Sequence, residues 1–165
     1  MKKLCPILLA TLLMPQAAIA TTINLPDDKP LASISIPDSW HSNKFPNGVE
    51  GGSADGGMYF AFEVAAGQDL DRAVQEAIDI FVKDGIEVDI KTKKKEKVTI
   101  NGMLGDSMSI QGKNLKSGES VKTDILIFAL DAGHFLIISD WGTAAAEKAN
   151  AADLQTIVKG IKKLN

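Results

Sequence analysis

Cysteine is almost missing from these 165 residues. Cys5 is the single one, and it stands inside an N-terminal leader, ahead of the point where a lipoprotein cysteine would stand. Without that leader the chain has no thiol and no possible disulfide. Oxidising compartments permit disulfides without requiring them, and a chain of this length can build its core without one. Histidine is limited to His41 and His134, each in a turn-like segment, and no further ligands are spaced to join either on one element. Asp27, Asp28 and Asp55 lack the spacing of a calcium loop. No metal and no cofactor is therefore assigned. The glycine-rich run Gly48 to Gly57 (GVEGGSADGG) has neither the GK[ST] ending nor the GxGxxG spacing of a phosphate-binding loop, and is read as a flexible loop or hairpin tip. Gly51-Gly52-Ser53-Ala54 is followed by Asp55, so it is not a nucleophile elbow either. Positive charge is also short. The formal net charge is −3, which argues against general nucleic-acid binding. No apolar run reaches the roughly 20 residues needed to span a bilayer.

What is present begins with a leader. Met1-Lys2-Lys3 is a short positive segment, Leu4 to Leu13 is mostly apolar, and Ala18-Ile19-Ala20 is an A-x-A cleavage site. Cleavage between Ala20 and Thr21 would leave residues 21–165 as one domain. It would also remove Lys2 and Lys3 and no acidic residue, moving the formal charge from −3 to −5. The expected location is the bacterial periplasm or the secreted fraction.

Along the remaining chain, Thr21 to Pro30 reads as an arm, with Pro26 and Pro30 in it. Leu31 to Ile36 alternates apolar and serine residues as a strand with one buried face, and Met58 to Ala65 is a second strand. Leu70, Ala73, Val74, Ala77, Ile78, Phe81 and Val82 then form one apolar helical stripe, with Asp69 as N-cap and Gly85 past its end. Ile86 to Ile90 alternates as a strand that runs into five lysines between Lys91 and Lys97. These are read as solvated side chains guarding an edge or a turn. Val98 to Ile100 resumes the sheet, and Asn101-Gly102 is a hairpin turn leading into Met103 to Ile110.

The segment Val121 to Trp141 is the centre of the pattern: VKTDILIFAL, then DAGH, then FLIISDW. Ile125 to Leu130 is apolar at every position, so both faces of that strand need cover. Thr143 to Ala149 suits a short helical turn. A final helix follows Asn150, with Leu154, Ile157, Val158, Ile161 and Leu164 on one face. The expected fold is α+β: an antiparallel β-sheet meander with helices on both faces, a three-layer α/β/α sandwich.

Four stretches carry a family resemblance: Ile34-Ser35-Ile36-Pro37 with Trp40, Ile100-Asn101-Gly102-Met103 with Gly105, the hairpin through Trp141, and the closing Ile157-Val158-Lys159-Gly160-Ile161-Lys162-Lys163. In this order they resemble the superfamily of the photosystem II extrinsic protein PsbP, the Mog-type Ran-binding protein and the periplasmic protein DcrB. The resemblance covers most of the chain after the leader. It implies an antiparallel sheet between helices, with mostly non-enzymatic binding or assembly roles, and no transferable site.

One pattern points elsewhere. Gly105-Asp106-Ser107 with Asp131-Ala132-Gly133-His134 is similar to the GDS and DxxH blocks of GDSL-type hydrolases, with Ser107 as nucleophile and His134 as base. The chain between Ser107 and Asp131 is too short for the βα units those enzymes place there. The expected function is an exported, non-enzymatic binding or assembly protein of the bacterial envelope, acting on an envelope protein or a small ligand. The alternatives are a small esterase using Ser107 and His134, and an envelope stress or assembly factor without a small-molecule site. Trp40, Tyr59 and Trp141 are the candidate binding-surface aromatics.

Overall fold

Strand pairing accounts for most of the chain. The computed structural model describes residues 19–164, so Cys5 and the leader up to residue 18 lie outside the described residues. In chain order the elements are β1 (Ala20–Leu25), β2 (Ala32–Pro37), β3 (His41–Phe45), β4 (Gly48–Gly52), β5 (Met58–Ala66), α1 (Leu70–Lys83), β6 (Ile86–Ile100), β7 (Met103–Asn114), β8 (Ser120–Ala129), β9 (His134–Gly142), α2 (Ala144–Ala149), α3 (Ala151–Gly160) and β10 (Lys162–Lys163). A seven-stranded sheet runs β3-β4-β5-β9-β8-β7-β6, and a three-stranded sheet runs β1-β2-β10. Every pairing is antiparallel.

The large sheet is buried on both sides, as the uninterrupted apolar run in β8 requires. Phe81 of α1 shares a core cluster with Ile125, Ile137 and Trp141. Leu126, Ile138, Phe60 and Phe62, on the other face, share a second cluster with Ile157 and Ile161. That face is not covered by helix alone. β1 and β2 contribute Ile23, Leu25, Ile34 and Ile36 to the same cluster. The second cover is thus a small sheet with α3 beside it, not the single helical layer expected. The reason lies in the sequence ends: Ile23 and Leu25 alternate with exposed neighbours and pair with β2, so residues read as an arm form a strand that stops at Pro26. The final helix also stops early. Ile161 is extended, at φ −70° and ψ 120°, and Lys162 and Lys163 pair with Ser33 and Ala32.

The glycine-rich run is a hairpin tip only in its second half, Ser53 to Gly57. Gly48 to Gly52 is an interior strand between β3 and β5. A Cβ on Gly51 would lie 1.9 Å from the carbonyl oxygen of His41, so glycine is there for close backbone approach. The lysine run does not interrupt β6. The strand continues through it with a register shift between Asp89 and Lys94. Thr92 stitches the irregular stretch, donating to Asp89 O at 2.6 Å and accepting from Gln111 N at 2.9 Å. β6 is an edge strand, where lysines oppose pairing with other chains.

Asn101 takes φ 49° and Gly102 φ 84°, the turn geometry that suits strand twist. The Asn101 amide also reaches the end of α3, donating to Val158 O and Ile161 O, both at 2.7 Å.

Candidate functional site

Three strands of the large sheet set the floor of a cavity under α3. Register places Phe60, Asp140 and Asp124 in one row and Phe62, Ile138 and Leu126 in the next, all on the same face. Trp40, just after β2, stands over Phe60 with ring centroids 5.6 Å apart, and Phe60 meets Phe62 at 5.5 Å. Leu154, Ile157 and Val158 of α3 close the other side. The cavity, open on one side, has a volume of about 250 Å³. Its walls are apolar except at one end, where Asp140, Lys122 and Glu147 meet. An apolar cavity with a few convergent polar groups is the usual form of a small-molecule site.

Asp140 is the unusual member. It continues the inward-facing series Leu136 and Ile138 of β9, where an apolar residue would be ordinary. Burial, with the charges of Asp124 and Glu147 adding to it and Lys122 opposing, pushes its carboxyl up to about 8. Among the described residues none hydrogen-bonds its side chain, and no polar side-chain atom is fully enclosed without a partner. The Asp140 side chain is half-buried and lines the cavity. Its neighbours are already engaged: Lys122 Nζ lies 2.7 Å from Asp124, which also accepts from Ser109.

The aromatics singled out from the sequence divide between the two faces. Trp40 belongs to the cavity and donates from its indole nitrogen to Asp153 at 2.9 Å. Tyr59 and Trp141 stack on each other under α1, at 6.5 Å between centroids. Trp141 donates to Asp84 at 3.2 Å and Tyr59 to Glu50 at 3.1 Å. Burial, then the Glu50 charge, moves the Tyr59 phenol upward.

The hydrolase residues are not assembled. Asp131 does meet His134 Nδ1 at 2.9 Å, and the Gly133 N–H, then His134, hold its carboxyl below the ordinary range. Ser107 lies two strands away, level with Leu126, whereas His134 falls beyond the Ala129–Phe135 pair. Four ladder positions at about 3.4 Å each separate those levels, which is out of reach for a nucleophile and its base. His41 opens β3 and is exposed. The three aspartates weighed for calcium serve separately: Asp27 pairs with Lys44 at 2.8 Å, Asp28 accepts from Lys29 N, and Asp55 holds Ser53, Gly57 and Asn150. Thr21 donates to Asp38 at 2.8 Å, and Ala20 pairs with Pro37 at the start of β1.

No family model matches the sequence, and no curated protein matches it. Solved structures do. The solution structure of cyanobacterial PsbP (CyanoP) from Synechocystis sp. superposes with a TM-score of 0.51 at 9% identity, covering 92% of this chain and 97% of that one. The chain has a PsbP-like fold. A crystal structure from Bacteroides thetaiotaomicron gives a TM-score of 0.52 at 9% identity over 82% of this chain, which spans 46% of that larger one. LpqN of Mycobacterium tuberculosis, described as involved in cell envelope biogenesis, gives 0.46 at 11% identity, over 88% of this chain and 92% of that one. The PsbP-like sheet supplies the cavity floor and α3 its lid, while Asp140 was not singled out from the sequence. Its signal was available. An acid two positions after Ile138 shares its face of a strand paired to one read as buried on both faces, and so must face either solvent or a cavity.

Proposed function

We propose that this chain is an exported, non-enzymatic binding protein of the bacterial cell envelope, and that it holds a small ligand in the cavity between α3 and the large sheet. The leader with its A-x-A site supports export. The observation that carries the binding role is the cavity of about 250 Å³, apolar on its walls and polar at one end. An engineered cavity of about 150 Å³ already takes up benzene, so this one has room for a substituted ring. An assembly factor without a small-molecule site, the other reading of the sequence, would leave the cavity inert.

Toluene decides between them. It should raise the melting temperature of the purified protein, because a ligand that binds only the folded state stabilises it by mass action. Val158→Trp, at the half-open rim of the cavity, should fill the space and abolish the shift. Absence of any toluene-dependent shift in the parent protein overturns the binding role assigned to this cavity.

A further inference from the structure

The polar end of the cavity narrows the class of ligand. Three carboxyl groups meet there, those of Asp140, Asp124 and Glu147, and among the described residues Lys122 is the cation facing them. Lys122 is taken, held at 2.7 Å by Asp124. Among the described residues Asp140 and Glu147 form no ion pair of their own, and Asp140, half-buried, lines the cavity. β5 lines the cavity with uncharged residues, Met58 and Phe60 among them, and the acid of α3, Asp153, is bound to Trp40. A largely desolvated carboxyl facing an aromatic-walled space gains from a polar partner on whatever enters, and beside Glu147 and Asp124 a cationic donor is favoured over an anion.

We infer that the cavity takes a small amphipathic amine: a protonated primary or secondary amine on an apolar body the size of one aryl ring. This rests on the cavity being a ligand site, as proposed above. The ring would lie among Trp40, Phe60, Phe62 and Leu126, and the ammonium would reach Asp140, with Glu147 at the mouth favouring entry of a cation. The unliganded Asp140 carboxyl is protonated over most of the neutral range, since it titrates at about 8. Docking an ammonium therefore expels a proton from Asp140 to solvent. Affinity must rise as pH rises through that value, then fall where the amine itself loses its proton, at about 10.4 for an alkylamine.

Three probes of one shape test this by calorimetric titration: phenethylamine, 2-phenylethanol and 3-phenylpropionate. The amine should bind about tenfold or more tighter than the alcohol, the scale of one charge-assisted hydrogen bond, and the acid should bind weakest. The enthalpy of amine binding should vary with the ionisation heat of the buffer, reporting proton release. Asp140→Asn should bring the amine down to the alcohol's affinity, remove the buffer dependence and leave the alcohol unchanged. If the alcohol or acid matches or exceeds the amine, or if Asp140→Asn binds the amine as tightly as the parent, the amine inference is overturned while the cavity remains a ligand site. If none of the three binds and toluene gives no shift, both readings fall.

Discussion

The indole nitrogen of Trp40 donates to a carboxylate oxygen of Asp153 at 2.9 Å, across 113 residues of chain. This bond fixes the first turn of α3 to the segment leaving β2, and so fixes the lid of the cavity to its wall. Asp153 also suits the N-terminal end of the helix dipole. Asp153→Ala should cost about 1–2 kcal/mol. Urea unfolding should show it as a lower midpoint with an unchanged slope.

Gly160 makes a second close contact of α3. A Cβ there would sit 2.5 Å from the Ser35 Cβ and 2.7 Å from its backbone nitrogen. Helix propensity alone predicts that alanine gains about 1 kcal/mol at this position. The contact with β2 reverses the sign, because a backbone neighbour cannot move aside cheaply. Gly160→Ala should therefore lower the melting temperature.

Phe81 and Ile157 are both buried, in clusters on opposite faces of the large sheet. Truncation to alanine should cost about 3–5 kcal/mol at Phe81 and about 2–5 kcal/mol at Ile157. The two losses should add when combined, because the residues share no partner. Lys94→Ala, on the exposed edge strand, should change stability little. Chemical denaturation of the four variants checks all of this together.

Asp140 sets a pH dependence. Its folded-state value of about 8 lies above the ordinary 3.8. Between those values the folded protein holds a proton that the unfolded chain has released, so stability falls as pH rises across that window. Asp140→Asn cannot ionise. It should lose this slope and become more stable relative to the parent as pH rises, which melting curves across the window will show.

The export reading has its own measurement. Protein recovered from the envelope fraction should begin at Thr21, by N-terminal sequencing, leaving β1 intact apart from Ala20. Intact Met1 on cytosolic protein would contradict it.

The meander was legible because its signals are local. Asn101-Gly102 dictates a turn, and Ile125 to Leu130 dictates a strand buried twice. The α1 stripe was also legible, although Val82 at its end is 60% exposed. What stayed hidden depends on distant partners. Ile23 and Leu25 become a strand through β2, and Gly48 to Gly52 becomes one because β3 and β5 flank it. The cavity was hidden for the same reason. Asp140 and Trp40 acquire their roles only when α3 closes over the sheet.

That difference also sets an order of events in folding. Of the cavity floor, β8 and β9 are neighbours in sequence, joined by the short link Leu130 to Gly133, and contacts of that kind form quickly, whereas β5 must find β9 across α1 and three strands. The wall and lid need Trp40 to find Asp153 and β2 to find β10, which closes most of the chain into one loop. A chain with its large sheet formed and α3 undocked presents Phe60, Phe62, Leu126 and Ile138 to solvent, a surface on which such chains stick to one another. The time spent in that state, ended by the docking of α3, governs how much of the protein aggregates before it is complete.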